Sequence, residues 1–362
     1  GKLVGILLEE IATLDSAKIN LLLSTEEILA KSTISTKDGS ALSALFSSKG
    51  NGGEVTVAKY VEAGGMIDAV TDFDMVSYIE YTEHILGKVT PIFQGEFKEL
   101  LERYEALATD LPKLYGGQMA IRYDVSAEPN AMNIVQVGST KGSSEAIGKM
   151  FTDYMNLTQD MFEKIDFLKS MGLKYEFNIE KGEPVEGVPM HRFSMKMDVE
   201  EADPSLLPYS NMTYLYAVTN GHYVVAMDKE QLGGLLRTLK AGKPLENSLA
   251  ENLKLETGQM ARGRMDVGQY AQLIIGSMGG TIDEEAAKRL EEGIGKLDLV
   301  PVTGSISVGD GRFSTDVKIP LKTIKAGVDY FESEKAALEP ESIPDEPGAP
   351  SPEAKKEEEP EN

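Results

Sequence analysis

GGMIDAVTDFDMVSYIE, residues 64–80, reads as a strand running into a helix, and TGQMARGRMDVGQYAQL, residues 257–273, reads the same way. Asp74 aligns with Asp266 and Tyr78 with Tyr270. Beyond each stretch come an amphipathic helix, a proline step (Leu111-Pro112, then Val300-Pro301) and a glycine-led strand (GGQMAIRYDV from Gly116, TGSISVGDG from Thr303). The expectation is a module present in tandem: an N-terminal segment at 1–16, a first unit at 17–153, a helical bridge at 154–171, a second unit at 172–332 and a tail at 333–362.

Outward from the first copy, Lys18 to Leu23 and Ile28 to Thr36 read as strands joined at Ser24-Thr25-Glu26-Glu27. Ala41 to Phe46 suits a short helix, and Val55 to Ala58 and Met66 to Asp72 suit strands. Asp74 is placed to cap the next helix, because its carboxylate can accept from the free amides of the first turn. Gly87 is expected to stop that helix near Leu86. From 96 to 111 one stripe carries Phe97, Leu100, Leu101, Tyr104, Leu107 and Leu111, with charged residues opposite. Met119, Ile121, Tyr123 and Val125 then alternate as a half-buried strand, and Glu128-Pro129-Asn130 turns into a partner strand from Met132 to Val137. Residues 143–171 read as helical, with Ile147, Met150, Phe151, Tyr154, Met155, Met161 and Phe162 among the inward groups. A methionine-bearing stripe can line a pliable groove, although plain core packing is the simpler reading.

The second unit opens on period-two strands, Tyr175 to Ile179 and Phe193 to Val199. Met212 to Val218 and His222 to Met227 flank Asn220-Gly221, a hairpin signal because both central residues of a type I′ turn need positive φ. A helix follows from Lys229 to Leu239. After Met260 to Met265, Asp266 caps with Gln269 in capping-box spacing, and Thr281 with Glu284 makes a second box before a helix to Leu297. Val302 to Val308 and Phe313 to Ile319 pair across Gly309-Asp310-Gly311, and Pro320 starts the last helix. Meanders interrupted by helices predict an α+β fold of two similar units, each a curved antiparallel sheet with helices on one face. The Pro- and Glu-rich end from about Glu332 cannot bury enough apolar surface to offset its ordering entropy, and is read as a flexible acidic tail.

Composition narrows the chemistry. With no cysteine there is no disulfide, thiolate nucleophile or zinc-thiolate site, and three histidines leave few imidazole ligands or bases. A net charge of −23 disfavours nucleic acid and anionic membranes as partners. No stretch approaches the roughly 20 apolar residues of a spanning helix. Residue 1 is Gly, and LVGILL at 3–8 suits either the end of a cleaved export signal or a packed first helix, so an extracytoplasmic location is expected.

Candidate sites are few. Asp72, Asp74, Glu80, Glu83 and His84 gather possible cation ligands, but their spacing matches neither an EF-hand loop nor an HExxH helix. A cap and a solvated helix face account for them, and no metal is expected. His222 beside the hairpin turn reads as a surface residue and His191 as lying at a sheet margin. Neither stands in a triad context, and no GxSxG occurs. Gly50-Asn51-Gly52-Gly53 and Gly279-Gly280 lack the context of a phosphate loop and read as loops. Asn156-Leu157-Thr158 and Asn211-Met212-Thr213 match the glycosylation triplet, which matters only where the source has the machinery. No catalytic, cofactor or metal residues are assigned.

The passage from Tyr214 to Lys254, YLYAVTNGHYVVAMDKEQLGGLLRTLKAGKPLENSLAENLK, resembles one found in exported bacterial proteins of unknown function: a hairpin, a short helix and an "SLA" segment before the repeated strand. The resemblance of plan covers residues 17–332. It implies an envelope-associated, duplicated α+β protein with no assigned reaction, and no functional residues carry over. The leading expectation is a non-enzymatic exported binding or structural protein of the envelope or surface, whose partner is another envelope protein or copies of itself. An alternative is a carrier of an apolar ligand or lipid held between sheet and helices. A third is a carboxylate-based hydrolase with two acids facing across a cleft.

Overall fold

The computed structural model describes residues 2–48, 53–125, 132–164, 174–198, 211–277 and 284–338. Among them ten α-helices and twelve strands form an α+β fold, and all twelve strands join one antiparallel sheet. Helix α1 (Lys2–Ile11) leads to the hairpin β1 (Leu14–Leu23) and β2 (Glu27–Thr36), then α2 (Ala41–Ser47), a 3-10 helix at Thr56–Tyr60, and β3 (Ile67–Asp72). Next come α3 (Met75–Val89), α4 (Glu96–Leu114), β4 (Tyr115–Val125), β5 (Met132–Thr140) and α5 (Ser144–Lys164). The second half holds β6 (Lys174–Val185), β7 (Val188–Asp198), β8 (Asn211–Thr219), β9 (His222–Ala226), α6 (Lys229–Ala241) and α7 (Leu249–Asn252). It continues with β10 (Gln259–Met265), α8 (Val267–Ser277), α9 (Glu284–Ile294), β11 (Val302–Gly309), β12 (Arg312–Pro320) and α10 (Leu321–Leu338).

The element order β3-α3-α4-β4-β5-α5 recurs as β10-α8-α9-β11-β12-α10. In space the sheet runs β1-β2-β12-β11-β10-β3-β4-β5-β9-β8-β7-β6. Strands β3 and β10 lie side by side at its centre, with β4 and β5 beyond one and β11 and β12 beyond the other. Each half then lends a hairpin to the other: β2 pairs with β12, and β9 pairs with β5. The shift that carries Asp74 onto Asp266 carries Ala69 onto Ala261 and Thr71 onto Gly263. Those residues pair crosswise, Ala69 with Gly263 and Thr71 with Ala261.

Alternate residues along a strand point to opposite faces. One face carries a cross-strand row of Val70, Ala120, Val137, Val224, Ala217 and Met190, each buried. The 3-10 helix, α6 and α7 close over this row with Val57, Leu232, Leu236 and Leu249, forming the main core. On the other face Tyr216 stacks on Phe151 of α5 at 5.0 Å, and α4 packs against both α3 and α5. Helices therefore cover both faces of one sheet, where the sequence predicted one sheet per unit with helices on one face. The cause lies in the exchanged hairpins, which weld the strands of both halves into a single ladder and give it two faces to bury.

Several local expectations change as well. Val55 to Ala58 is not a strand: the 3-10 helix at Thr56–Tyr60 drives Val57, Ala58 and Tyr60 together into the core, which an alternating strand cannot do. Gly87 does not stop α3, whose last turn closes through the Thr90 amide on the Leu86 carbonyl. Helix α4 continues through Pro112 to Leu114. Pro320 ends β12, and α10 begins one residue later, its Leu321 amide bonding to the Glu26 carbonyl at 2.8 Å. Residues 333–338, assigned to the tail, extend α10. The expected turn at 128–130, the Thr281 cap, residues 165–171 of the bridge, residues 279–280 and 50–52 of the glycine-rich loops, and the tail at 339–362 lie outside the described residues. The Asn220-Gly221 turn has φ values of 49° and 74°, as a type I′ hairpin requires. Gly117 is required in another way: at φ 91° its missing Cβ would collide with the Phe73 carbonyl.

Candidate functional site

A cleft of about 310 Å³ lies between α3, α4 and α5, floored by the start of β4. Its walls are apolar and rich in rings: Tyr78 from α3, Tyr104 from α4, Tyr115 from β4, and Phe151 and Tyr154 from α5. Leu107, Leu111, Met150 and Met155 fill the gaps, and among the described residues no charged side chain lines it. The helical spacing of these residues puts them on stripes that meet along the α4–α5 contact.

Three wall rings are braced from behind. Tyr78 meets Phe73 edge-on at 5.3 Å, Tyr115 meets Tyr223 edge-on at 5.3 Å, and Phe151 stacks on Tyr216. Such contacts hold a wall in place before a ligand arrives, which lowers the ordering cost of binding. Burial raises the Tyr104 phenol above its ordinary range, and the neighbouring phenols of Tyr78 and Tyr154 raise it further. Burial pushes Tyr216 up to about 12. The cleft can take an apolar or aromatic body.

A second surface feature is the open edge of the sheet at β1. Ile19, Leu21, Leu22 and Leu23 are between 57 % and 80 % exposed, on both faces of a strand that, among the described residues, has a partner on one side only. Leu3, Val4, Leu7, Leu8 and Ile11 add an exposed apolar stripe on α1, which is tied to α3 through Glu10, where Lys88 Nζ donates at 2.8 Å and His84 Nε2 lies at 3.3 Å. The opposite edge strand, β6, instead exposes Glu176, Asn178, Glu180, Glu183 and Pro184.

The residues singled out from sequence do not form one site. Asp72 is buried in β3 beside Gln118, and burial raises its carboxyl pKa. Asp74 caps α3, accepting from the amides of Val76 and Ser77 at 3.0 and 3.3 Å. Glu83 accepts from the Thr109 hydroxyl, His84 lies by Glu10, and Glu80 is exposed. Among the described residues no group of three or more acid or imidazole side chains is arranged to hold a metal ion. His222 is half-buried, its Nδ1 2.8 Å from the Asn220 carbonyl and its ring edge-on to Tyr60. His191 stacks on Tyr216 at 4.9 Å, and burial with the nearby Lys181 lowers its pKa. Two further clefts carry acids. Glu54 and Glu251 line one, with Lys59 and Lys254, and Asp15, Asp38 and Asp310 line the other, with Lys37 and Arg312. All five of these acids are exposed.

The ring cleft was half visible in the sequence. Tyr104, Met150, Phe151, Tyr154 and Met155 already lie on inward stripes, but stripes do not say that three helices diverge enough to leave a gap. No described helix is long and apolar enough to cross a membrane. No known protein family, curated protein or solved structure matches the chain.

Proposed function

We propose that this protein is a non-enzymatic exported component of the cell envelope or surface that works by binding other polypeptides, another envelope protein or copies of itself. One observation carries this: the uncovered edge of β1, with four large apolar side chains between 57 % and 80 % exposed. An unpaired strand edge is a template for another strand, and the stretch of β1 from Ile19 to Leu23 carries neither charge nor proline, whereas β6 exposes Glu176, Glu180, Glu183 and Pro184. A photo-crosslinking residue in place of Leu21 should give a discrete polypeptide adduct in the producing cells, and the same residue in place of Glu180 should give none. Absence of any adduct at position 21 would refute the reading.

The two units are read as copies of one module that exchanged hairpins. The recurring element order, the crosswise pairing of β3 with β10 and the matched caps support this. Asp266 accepts from the Gln269 amide at 3.0 Å as Asp74 does from its own first turn. An extracytoplasmic location rests on the resemblance at Tyr214 to Lys254, with which the lack of cysteine is compatible, and cell fractionation tests it.

A second reading is carriage of an apolar ligand, supported by the ring-walled cleft. Native mass spectrometry of gently purified protein should then show a bound lipid or other apolar molecule that is lost in a Phe151→Ala, Tyr104→Ala double variant. A clean mass of the bare chain would end it.

A further inference from the structure

We infer that the open edge of β1 is completed by β1 of a second copy of this chain, the two strands running antiparallel about a two-fold axis. The inference rests on the edge-binding reading above and names the occupant. The sheet itself supplies the pattern. On the far side β8, which ends its half's loan of a hairpin just as β1 does, is covered by the antiparallel hairpin β6–β7. Strand β1 has no counterpart of that hairpin among the described residues. The β1–β2 hairpin of a second copy has the same form and fits the same place.

Every neighbouring pair in this sheet is antiparallel. Continuing that pattern with an identical strand is two-fold by construction, so the contact closes at a dimer and does not run on into a fibre. The other edge, β6, is fenced by Glu176, Glu180, Glu183 and Pro184, which ends the extended sheet at both outer limits.

Side-chain chemistry sets the register. Ile19, Leu21 and Leu23 share the sheet face that carries Tyr216 and His191, because Leu21 connects through successive cross-strand partners to those residues. Placing Leu21 opposite Leu21 of the second copy sets Ile19 opposite Leu23 and gives one continuous apolar face of six side chains. No charge falls between residues 19 and 23, so like charges do not meet across the axis. The exposed apolar residues of β1 leave on the order of 500 Å² open, at the upper end of the ~300–600 Å² of a monomer's usual largest patch.

The full chain, examined by size-exclusion chromatography with light scattering at about 100 µM, is expected at twice its 39.4 kDa mass. Leu21→Lys brings two ammonium groups together on the axis and should weaken the dimer by roughly 100-fold or more while leaving the far-UV circular dichroism of the exposed edge unchanged. The chain has no cysteine, so Leu21→Cys should form an intermolecular disulfide on mild oxidation. Leu22→Cys, on the other face and off the axis, should not. A single-chain mass at that concentration, or a dimer that Leu21→Lys leaves intact, overturns the proposal. If the chain is monomeric yet position 21 crosslinks to a different polypeptide in cells, the second copy is wrong and edge binding stands. If there is no adduct either, both fall.

Discussion

Asp68 joins the two halves at the centre of the sheet, and its removal should be among the costliest single changes in the protein. The residue is 0 % exposed, and its carboxylate accepts from the Gly64 and Gly65 amides at 2.9 and 3.2 Å and from Arg264 Nε at 2.8 Å. Arg264 Nη2 lies at 2.8 Å from the same oxygen, and Arg264 is the direct cross-strand partner of Asp68 between β10 and β3. Asp68→Ala leaves a guanidinium without its anion and two amides without acceptors. Breaking a buried ion pair from one side costs about 3–5 kcal/mol, and each orphaned amide adds about 1 kcal/mol where water does not reach it. The Arg264 side chain keeps 25 % exposure and Gly64 is exposed, so water recovers part of the loss and the total should settle at about 3–5 kcal/mol. Urea unfolding followed by circular dichroism should show the midpoint falling with the slope unchanged. A double-mutant cycle with Arg264→Ala should return a coupling of about 2 kcal/mol. A loss below about 1 kcal/mol, or no coupling, would refute the assignment of Asp68 as the central tie.

The matched caps make a paired prediction: Asp74→Ala and Asp266→Ala should each cost about 1 kcal/mol in thermal unfolding, with additive effects because the two caps share no partner. Asp72 behaves in the opposite sense. Burial holds its folded pKa above the ordinary 3.8, so stability falls as pH rises from the unfolded value through the folded one, and Asp72→Asn should stabilise the protein at pH 7 in the same unfolding assay. For Glu10, burial raises the pKa, but the hydrogen bonds and charges of Lys88 and His84 outweigh it and leave the pKa below 4.5. The tie between α1 and α3 should therefore be full above pH 4.5 and weaken as pH falls through the depressed value, seen as faster amide exchange in α1 after correction for intrinsic rates.

Local chemistry was legible in the chain wherever one element's own side chains decide the outcome. Period-two alternation marks the strands from Met119 to Val125 and Phe193 to Asp198, the 3.6-residue stripe marks α4, Asn220-Gly221 marks its hairpin, and Asp74 and Asp266 mark their helix starts. These signals concern neighbours along the chain, within a turn or a pleat of one another. Burial of the 3-10 helix at Thr56–Tyr60 was not legible, because three apolar residues in five satisfy a strand or a plug equally until the cavity receiving them exists.

Tertiary structure alone decided that β2 pairs with β12 and β9 with β5, so that two units share one sheet. Strand edges carry the same backbone donors and acceptors everywhere, and only the packing of the whole molecule selects among edges far apart in the sequence. For the same reason the ring cleft emerges only where α3, α4 and α5 diverge, and the bare edge of β1 only once every other strand has found its neighbours.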